Sequence, residues 1–376
     1  MSQTDSATII DTNAPKSPRV LSIDALRGFD MFWIIGADEL AKNILKKGDW
    51  SFSPAFVEQF THADWEGFRF YDLIFPLFLF LVGCVLPYSL DKYRGQASQV
   101  YGRIFRRTLL LIVLGLIYSG MLRFDFANLR YAGVLQRIAL CYCFASLLYL
   151  HLPWRGRVAA WVGILLGYWA ILSWIPVPGG VAGDLSKEGN LSGYLDRTLL
   201  PGKILTLYYG HGDNEGILST LPAICTALLG VFAGEWLRSK YSPYAKAGGL
   251  AMAGVACVLL GTLWGLWFPV IKNLWTSSFV LVAGGWSLLL LSLFYFVIDV
   301  QGWKKWAFFW TVIGMNAITI YMVKNIVDFS KISKYFLTGV AGFFGEWQTV
   351  ILQAGTLGAM WLFLYYLYRQ KLFLRV

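Results

Sequence analysis

Long apolar stretches separated by short polar segments dominate the chain from about residue 20 onward. A helix that crosses the hydrocarbon core of a membrane needs about 20 mainly apolar residues. The pattern therefore predicts an all-α, polytopic membrane helix bundle of about ten spanning helices. The predicted spans are 20–45, 67–90, 103–120, 131–150, 158–176, 217–237, 245–267, 274–298, 306–327 and 348–368.

The first predicted span is unusually polar for a membrane helix. Arg27 and Asp38 lie eleven residues apart, which places them on nearly the same helix face at about 100° per residue. The rise between them is about 16 Å along the axis. One stripe would thus carry an arginine near one membrane surface and a carboxylate towards the other. Asp24 and Arg27 could instead form a simple ion pair at the start of the helix.

Composition agrees with a membrane protein, because 57% of the residues are hydrophobic and only 14% are charged. Ordinary soluble domains carry roughly 25% charged residues. Residues 1–18 are polar and predict a disordered cytoplasmic tail before one transmembrane domain at 19–376. Five cysteines lie inside apolar stretches and are expected to be buried thiols, without zinc-ligand spacing and with no metal site: Cys84, Cys141, Cys143, Cys225 and Cys257.

The net charge of +10 is explained by basic cytoplasmic loops, and nucleic-acid motifs are absent from the sequence. With the N-terminus inside, every loop assigned to the cytoplasm is rich in lysine and arginine. An even number of spans then places both termini in the cytoplasm. The segment around His62 falls on the extracytoplasmic side.

The stretch 60–83 carries the most concentrated candidate chemistry. Its polar half contains His62, Asp64, Glu66, Arg69 and Asp72, and it continues directly into an apolar helix. Ionisable groups at membrane depth are costly to bury and are functional candidates for that reason. The alternative is that His62 only marks the interface between the span and water.

Further polar groups lie at other span ends. Arg130 could extend to the outer interface, whereas Arg137 lies two turns deeper and requires an anionic partner from the protein or a ligand phosphate. The segment 208–216 contains His211 and could line the outer mouth or remain a solvated loop. Asn316 could contact a ligand or hydrogen-bond to neighbouring helices.

Several motifs together resemble heparan-α-glucosaminide N-acetyltransferase and its bacterial relatives, within the wider group of transmembrane acyltransferases. The motifs occupy residues 22–28, 62–67, 72–76, 133–137, 214–218, 272–275 and 314–316. The resemblance implies transfer of acetyl from cytosolic acetyl-CoA, across the membrane, to the amine of a glucosamine unit. The catalytic histidine of that family falls on His62, and its assisting asparagine falls on Asp38. A large luminal region of the lysosomal enzyme has no counterpart here, which favours a smaller bacterial amino sugar as acceptor.

The residues and the resemblance together predict a mechanism. Neutral His62 takes the proton of the attacking amine as general base, and Asp38 or Asp72 orients its ring. An acetyl-histidine intermediate is the competing route. The expected acetyl-CoA contacts are Arg106, Arg107, Gln136, Arg137 and Asn316. The expected acceptor contacts are Asp64, Trp65, His211, Asp213 and Glu215.

Two other functions remain open at this point. An O-acyltransferase acting on an envelope glycan would use the same donor. A transporter for an amino sugar or anion would use His62 and the carboxylates as a proton relay. The expected setting is the bacterial inner membrane, with the active site open to the extracytoplasmic side, the lipid bilayer as a partner and a homodimer allowed.

Overall fold

The fold is taken from a computed structural model, which describes residues 20–48, 50, 52–91, 97–205 and 209–374. The predicted tail at 1–18 lies outside these residues. In the described part the chain forms helices and no strand, with two isolated β-bridges, Glu66–Ile271 and Arg130–Gly202. The all-α prediction is confirmed for these segments.

Fifteen α-helices follow one another in the described segments. They are α1 (Leu21–Phe32), α2 (Asp38–Gly48), α3 (Ser53–Gln59), α4 (Ile74–Leu90), α5 (Ala97–Tyr118), α6 (Val134–His151), α7 (Trp154–Trp174), α8 (Leu191–Leu199), α9 (Thr220–Leu237), α10 (Pro243–Trp264), α11 (Ser277–Tyr295), α12 (Ala307–Met315), α13 (Ala317–Val323), α14 (Phe329–Gly342) and α15 (Gln348–Arg369). A π-helical segment, Trp33–Ala37, joins α1 to α2, and a second, Phe296–Val300, extends α11. A 3₁₀ turn, Phe70–Leu73, leads into α4.

Seven helical segments in the described part are long and apolar enough to cross a membrane. They are Phe70–Leu90, Val134–His151, Trp154–Trp174, Thr220–Leu237, Pro243–Trp264, Ser277–Val300 and Gly345–Arg369. A membrane helix bundle fits this result. The count of about ten spans and the side of each terminus stay predictions.

The three remaining predicted spans differ from the seven in ways that have physical causes. The first bends at Gly36, whose φ of 125° favours glycine. The third, α5, carries three arginines within two turns, Arg103, Arg106 and Arg107. The ninth is divided at Asn316 into two short helices, α12 and α13. All three segments are helical, but each bend, break or charge cluster shortens the uninterrupted apolar stretch.

Helices α4 and α9 pack closely because glycines remove side chains from their contact. A Cβ atom on Gly230 would lie 1.9 Å from the carbonyl oxygen of Phe80, and one on Gly83 would lie 1.8 Å from that of Ala227. Small residues at this spacing allow helix backbones to approach each other in membranes. This contact fixes α4, and the loop and 3₁₀ turn that lead into α4 carry the candidate site.

The first and last described segments lie at the same end of the bundle. The backbone N–H of Ser22 donates to Asp299 Oδ2 at 3.1 Å. Asp24, near the start of α1, borders the same cavity as Phe373, which follows α15. We call this end the arginine end, because Arg27 and Arg107 also border that cavity. The opposite end of α4 is called the His62 end.

Two ion pairs, one of them partly buried, tie the helices together at the arginine end. Arg157, at the start of α7, contacts Glu235 of α9 at 2.6 Å. Arg238, after α9, forms an ion pair with Asp91 and donates to the carbonyl oxygen of Pro87 at 2.6 Å. Paired and hydrogen-bonded charges at a partly buried position are far less costly than isolated ones. These contacts connect the ends of α4, α7 and α9.

Candidate active site

His62 lies in the loop between α3 and the 3₁₀ turn that opens α4. The Arg69 guanidinium donates to the carbonyl oxygen of His62 at 2.8 Å and to Thr61 Oγ1 at 2.8 Å. These bonds hold the backbone on both sides of the histidine. The ring centroid of His62 also lies 4.8 Å from that of Tyr71.

Asp72 is the principal partner of the His62 ring. Its carboxylate is fully buried, and Oδ1 lies 2.8 Å from His62 Nδ1. Oδ2 accepts the backbone N–H groups of Ala63 at 3.2 Å and Arg69 at 3.1 Å. A buried carboxylate with this many donors is held in one orientation. Asp72 therefore orients the ring in the way expected of the partner of a general base.

A third ionisable residue, Lys272, reaches the same place from a distant part of the chain. The segment before α11 pairs with the His62 loop through the Glu66–Ile271 bridge. The backbone N–H of Gly67 donates to the carbonyl oxygen of Val270 at 2.8 Å. This pairing places the next side chain, Lys272, at the imidazole.

Lys272 Nζ lies within reach of both the ring and its carboxylate. Its distances are 2.7 Å to His62 Nδ1, 3.2 Å to His62 Nε2 and 3.3 Å to Asp72 Oδ1. In the tautomer that donates Nδ1–H to Asp72, His62 Nε2 carries the lone pair that can accept a proton. The three side chains form one coupled cluster, which we call the His62 cluster.

The environment favours the neutral form of His62. Burial of the ring is the largest influence and lowers the pKa of His62, whereas the hydrogen bond that the ring donates to Asp72 raises it. The positive charge of Lys272 lowers the pKa further. The net pKa of His62 lies below its ordinary value, so that the imidazole is available as a base near neutral pH.

The His62 cluster opens into a cavity of about 240 Å³, the His62 cavity. Its polar lining includes Asn214, Glu215 and Asn273, and its apolar lining includes Phe75 and Trp275. Among the residues that the structure describes, Asn214 Oδ1 is buried without a hydrogen-bond partner. An unpaired buried acceptor is costly unless a ligand or water satisfies it. This combination suits a small molecule that carries amine and hydroxyl donors.

Arg130 fixes the carboxylate wall of the His62 cavity. Its guanidinium donates to Asp213 at 2.9 and 2.5 Å and forms an ion pair with Glu215. Asp213 is fully buried and also accepts the backbone N–H of Leu205 at 2.8 Å. Arg130 is thus held by the protein's own carboxylates, while Glu215 faces the cavity.

Of the five residues expected to contact the acceptor, only Glu215 lines the His62 cavity. Asp64 and His211 are exposed, and His211 Nε2 lies 3.8 Å from Glu188. Trp65 turns towards the segment that precedes α8, where its indole N–H donates to the carbonyl oxygen of Leu185 at 2.9 Å. Asp213 lies behind Arg130.

Of the three expected catalytic residues, His62 and Asp72 are brought together and Asp38 is engaged elsewhere. Asp38 forms an ion pair with Lys42 at 3.2 Å, one helical turn away. Its negative charge contributes only a small raising effect to the pKa of His62. Ile34, one turn before Asp38, lines the His62 cavity.

A second cavity of about 390 Å³, the arginine cavity, lies towards the other end of the bundle. It is lined by Arg27, Arg107 and Asn316 among apolar side chains of α4, α5 and α6. Arg107 Nε and Asn316 Nδ2 are buried and have no hydrogen-bond partner within the described segments. The Arg107 guanidinium packs over the ring of Tyr142 at 4.3 Å. Cations and unpaired donors in one cavity suit an anionic ligand such as a phosphate ester.

The residues expected to contact acetyl-CoA fall into three places. Arg107 and Asn316 line the arginine cavity, whereas Arg106 is exposed and does not line it. Arg137 is buried at the His62 end, donates to the carbonyl oxygen of Gly216 at 3.1 Å and lies over the ring of Trp275. Arg137 therefore lies away from the arginine end.

Gln136 lies in a third place. It lines a third cavity at the ends of α5 and α6, which we call the Gln136 cavity. This cavity has a volume of about 240 Å³. It shares lining residues with the His62 cavity and none with the arginine cavity.

The His62 and arginine cavities follow one another along the same helices. On α4, Phe75 lines the His62 cavity and Phe78 lines the arginine cavity. On α6, Val134 lines the His62 cavity and Ile138 lines the arginine cavity. Residues three or four apart lie on the same helix face, and one turn rises about 5.4 Å. About one helical turn therefore separates the linings of the two cavities.

Three side chains that border the two cavities were not among the expected site residues: Lys272, Arg27 and Asn214. Arg27 and Lys272 each stand in a mainly apolar sequence context, which is a signal of buried charge. The motifs at residues 22–28, 214–218 and 272–275, which contain Arg27, Asn214 and Lys272, gave a further indication. Within the described segments, no group of three or more His, Cys, Asp or Glu side chains is arranged to hold a metal ion.

Two curated proteins are similar to the chain over most of its length. The chain is 29% identical over 370 residues to the heparan-alpha-glucosaminide N-acetyltransferase of Homo sapiens and 29% identical over 388 residues to that of Mus musculus. The alignments cover 83% and 84% of this chain but only 53% and 56% of the relatives. The chain thus spans about half the length of the curated relatives it matches. No family model matches it.

Proposed function

Because the chain is a distant relative of the heparan-alpha-glucosaminide N-acetyltransferases, we propose that it transfers acetyl from cytosolic acetyl-CoA to a glucosamine-type amine across the membrane. The apolar helices and the curated relatives indicate an integral membrane N-acetyltransferase at the family level. The single observation that supports the two-sided reaction is the alignment of the two cavities along the same helices.

The donor would enter through the arginine cavity. Coenzyme A carries a pyrophosphate and a 3′-phosphate, and guanidinium groups bind phosphate oxygens with strong, directional hydrogen bonds. Arg27 and Arg107 supply such groups, and the unpaired amide of Asn316 supplies another donor. The flexible pantetheine arm would then pass the single turn between the cavities and present the thioester to His62.

The acceptor would occupy the His62 cavity, with Asn214, Glu215 and Asn273 around its amine and hydroxyl groups. The uncharged amine attacks the thioester carbonyl carbon, a C–N bond forms, the C–S bond breaks and the thiolate of coenzyme A leaves. His62 Nε2 takes the proton released by the amine and returns it to the thiolate. Products and reactants balance without an oxidant or a metal.

Lys272 would contribute twice to this reaction. Its charge favours the neutral imidazole before the amine attacks. Its Nζ, 3.2 Å from His62 Nε2, is also close to where negative charge develops on the thioester oxygen. Asp72 would hold the ring and stabilise the imidazolium that forms.

The direct test is an assay with purified protein, acetyl-CoA and glucosamine. Free thiol and N-acetylglucosamine are expected to appear in equal amounts. Glucose serves as the control, and hydroxylamine treatment separates an O-acetyl ester, which it cleaves, from an amide, which it leaves intact. Acetyl-CoA consumption with glucose, or a product that hydroxylamine removes, would instead assign the chain to O-acyl transfer. Absence of thiol release with glucosamine would remove the proposal.

Arg107→Ala is expected to weaken acetyl-CoA binding by roughly ten- to hundredfold, because a charged hydrogen bond contributes about 1.5–3 kcal/mol. The KM for glucosamine should change much less. Arg106→Ala is the matched control, since the adjacent arginine is exposed and does not line the arginine cavity. Equal effects of the two substitutions on the acetyl-CoA dissociation constant would show that the arginine cavity does not hold the donor.

Lys272→Met is expected to move the acid limb of the kcat/KM profile to higher pH. Lys272 lowers the pKa of His62, so removing its charge raises that pKa and protonates the base over a wider acidic range. Activity should therefore fall more at pH 6 than at pH 9. Lys203→Met, an exposed lysine outside the site, is the control. If the acid limb of the Lys272 variant stays at the same pH, Lys272 does not influence the pKa of His62.

A further inference from the structure

Trp275, at the end of a tight turn, borders the His62 cavity and is almost completely buried. The residue is only 1% exposed, although it lines that cavity. Its backbone N–H donates to the carbonyl oxygen of Lys272 at 2.9 Å. One turn of the chain therefore carries both the lysine that contacts His62 and a tryptophan in the cavity wall.

The backbone of Trp275 has an unusual conformation. Its φ is 53°, in the left-handed region that bulky residues rarely adopt. Such a conformation persists only where the surrounding structure holds it, and it is found most often at ligand and active sites. Here the backbone N–H of Thr276 donates to the carbonyl oxygen of Ile271 at 3.2 Å, and Thr276 Oγ1 donates to that of Pro269 at 2.9 Å. These bonds keep a strained tryptophan in the cavity wall.

The indole ring is fixed by contacts on several sides. Its N–H donates to Thr226 Oγ1 at 3.1 Å, and the Arg137 guanidinium lies over the ring at 5.0 Å. The rings of Phe75 and Phe279 meet it at 78° and 74°, each with its centroid 5.2 Å away. A ring covered in this way has no open face on which a sugar could stack. It forms a rigid boundary of the space that the cavity offers.

This boundary lies where the donor is expected to arrive. Phe75 lines the His62 cavity, and Phe78, one turn further along α4, lines the arginine cavity. The ring of Trp275 packs against Phe75 and so borders the passage through which the proposed donor arm would reach His62. Lys272, from the same turn, is placed beside the thioester oxygen in the proposed reaction. A rigid apolar wall is therefore available to the acyl group next to its carbonyl carbon.

We propose that Trp275 sets the length of the acyl group that the site accepts. The ring closes the space beyond the thioester carbonyl carbon, so that the methyl group of acetyl fits and a longer acyl chain meets the ring. The inference rests on the proposed acyl transfer from a coenzyme A thioester and adds the residue that selects the acyl group. The bonds that form and break are the same for every donor, and only the fit of the acyl chain differs.

The test compares acetyl-, propionyl- and butyryl-coenzyme A as donors to glucosamine, with thiol release as the measurement. In the unsubstituted protein, kcat/KM should fall about tenfold with propionyl and about a hundredfold with butyryl, as expected for added methylenes in a fixed apolar pocket. Trp275→Leu should bring butyryl to within about tenfold of acetyl, because the smaller side chain leaves space beyond the carbonyl carbon. Trp275→Phe keeps an aromatic ring in the core and should admit propionyl but not butyryl.

Phe279→Leu is the matched control. Phe279 is fully buried and contacts the same indole ring, but it lines none of the three cavities. Its substitution loosens the packing around Trp275 without opening the cavity wall, so the donor preference should stay that of the unsubstituted protein. An equal loss of preference in the Phe279 and Trp275 variants would remove the assignment to Trp275.

The remaining outcomes separate the choice of acyl group from the reaction itself. Equal kcat/KM for the three donors in the unsubstituted protein would show that no wall limits the acyl chain, even if acetyl is transferred. An unchanged preference in a Trp275→Phe protein that still transfers acetyl would also overturn the inference. Absence of thiol release with every donor would remove the proposed reaction. Calorimetry with the three thioesters would then still test the wall, since tighter binding of acetyl that Trp275→Phe abolishes supports it and equal binding removes it.

Discussion

Substitution of His62 by alanine is expected to lower acetyl transfer to glucosamine by about 10²–10⁴-fold, the usual contribution of a positioned general base. The ring supplies the acceptor nitrogen for the amine proton, and the remaining members of the His62 cluster cannot replace it. Lys272 is a donor when charged, and Asp72 is fully buried beneath the ring. The measurement is the steady-state rate of thiol release in purified protein.

The loss should leave folding intact. Lys272 Nζ and Asp72 Oδ1 remain 3.3 Å apart as an ion pair, and Arg69 still holds the loop backbone. His151→Ala is the matched control. This histidine is the last residue of α6, whose first residue, Val134, lines the His62 cavity, and its ring hydrogen-bonds to the hydroxyl of Tyr101. More than a few per cent of the original rate in the His62 variant would exclude this residue from the mechanism.

The same variant also distinguishes the two chemical routes. Incubation of the unsubstituted protein with labelled acetyl-CoA in the absence of acceptor should leave no covalent label if the amine attacks the thioester directly. A label that appears in the unsubstituted protein and is absent after His62→Ala would support the acetyl-histidine route.

The long helices could be predicted from the sequence because apolar length is a local property. All ten predicted spans correspond to helical segments within a few residues, as for 158–176 and the observed Trp154–Trp174. The short helices α3, α8 and α14 were not predicted. Ser53–Gln59 and Leu191–Leu199 are far below span length, so a search for apolar stretches of about 20 residues does not find them.

The core of the site could be predicted only in part. His62 and Asp72 are ten residues apart, within one loop and turn, and of the two carboxylates offered by the sequence, Asp38 and Asp72, it is Asp72 that contacts the ring. Lys272 is 210 residues from His62, and only the backbone pairing at Glu66–Ile271 brings it to the ring. A contact of this kind depends on tertiary structure and leaves no local pattern in the sequence.

Three arginines were expected to contact acetyl-CoA, and only Arg107 lines the arginine cavity. Arg106 and Arg107 are adjacent, so their side chains point about 100° apart, and only Arg107 faces the arginine cavity. Arg137 contacts the carbonyl oxygen of Gly216, the hydroxyl of Ser219 and the ring of Trp275. None of these is the expected anion, and its Nε and Nη1 are buried without a hydrogen-bond partner among the described residues. Charge alone indicated that these residues need partners, whereas the packing decides which partner each one has.

The two faces of the bundle are chemically different, and this difference predicts the sidedness of the reaction. The arginine cavity carries cations and unpaired donors at one end, and the His62 cavity carries the base and the amide and carboxylate groups at the other. The loops rich in lysine and arginine are expected on the cytoplasmic side. Acetyl-CoA should therefore act only from that side, and the amino sugar only from the opposite side.

Oriented membrane vesicles can measure this directly. With glucosamine sealed inside inverted vesicles, acetyl-CoA added to the exposed cytoplasmic face should give N-acetylglucosamine in the lumen, and free coenzyme A should stay outside. Intact coenzyme A should not cross, because moving its phosphate charges through an apolar bundle is too costly. Right-side-out vesicles given acetyl-CoA outside should be inactive until they are permeabilised, and vesicles that contain the His62→Ala protein should show only background. Product that forms only when both substrates are on the cytoplasmic face would reverse the predicted position of His62, and movement of unmodified glucosamine across the membrane would favour a transporter instead.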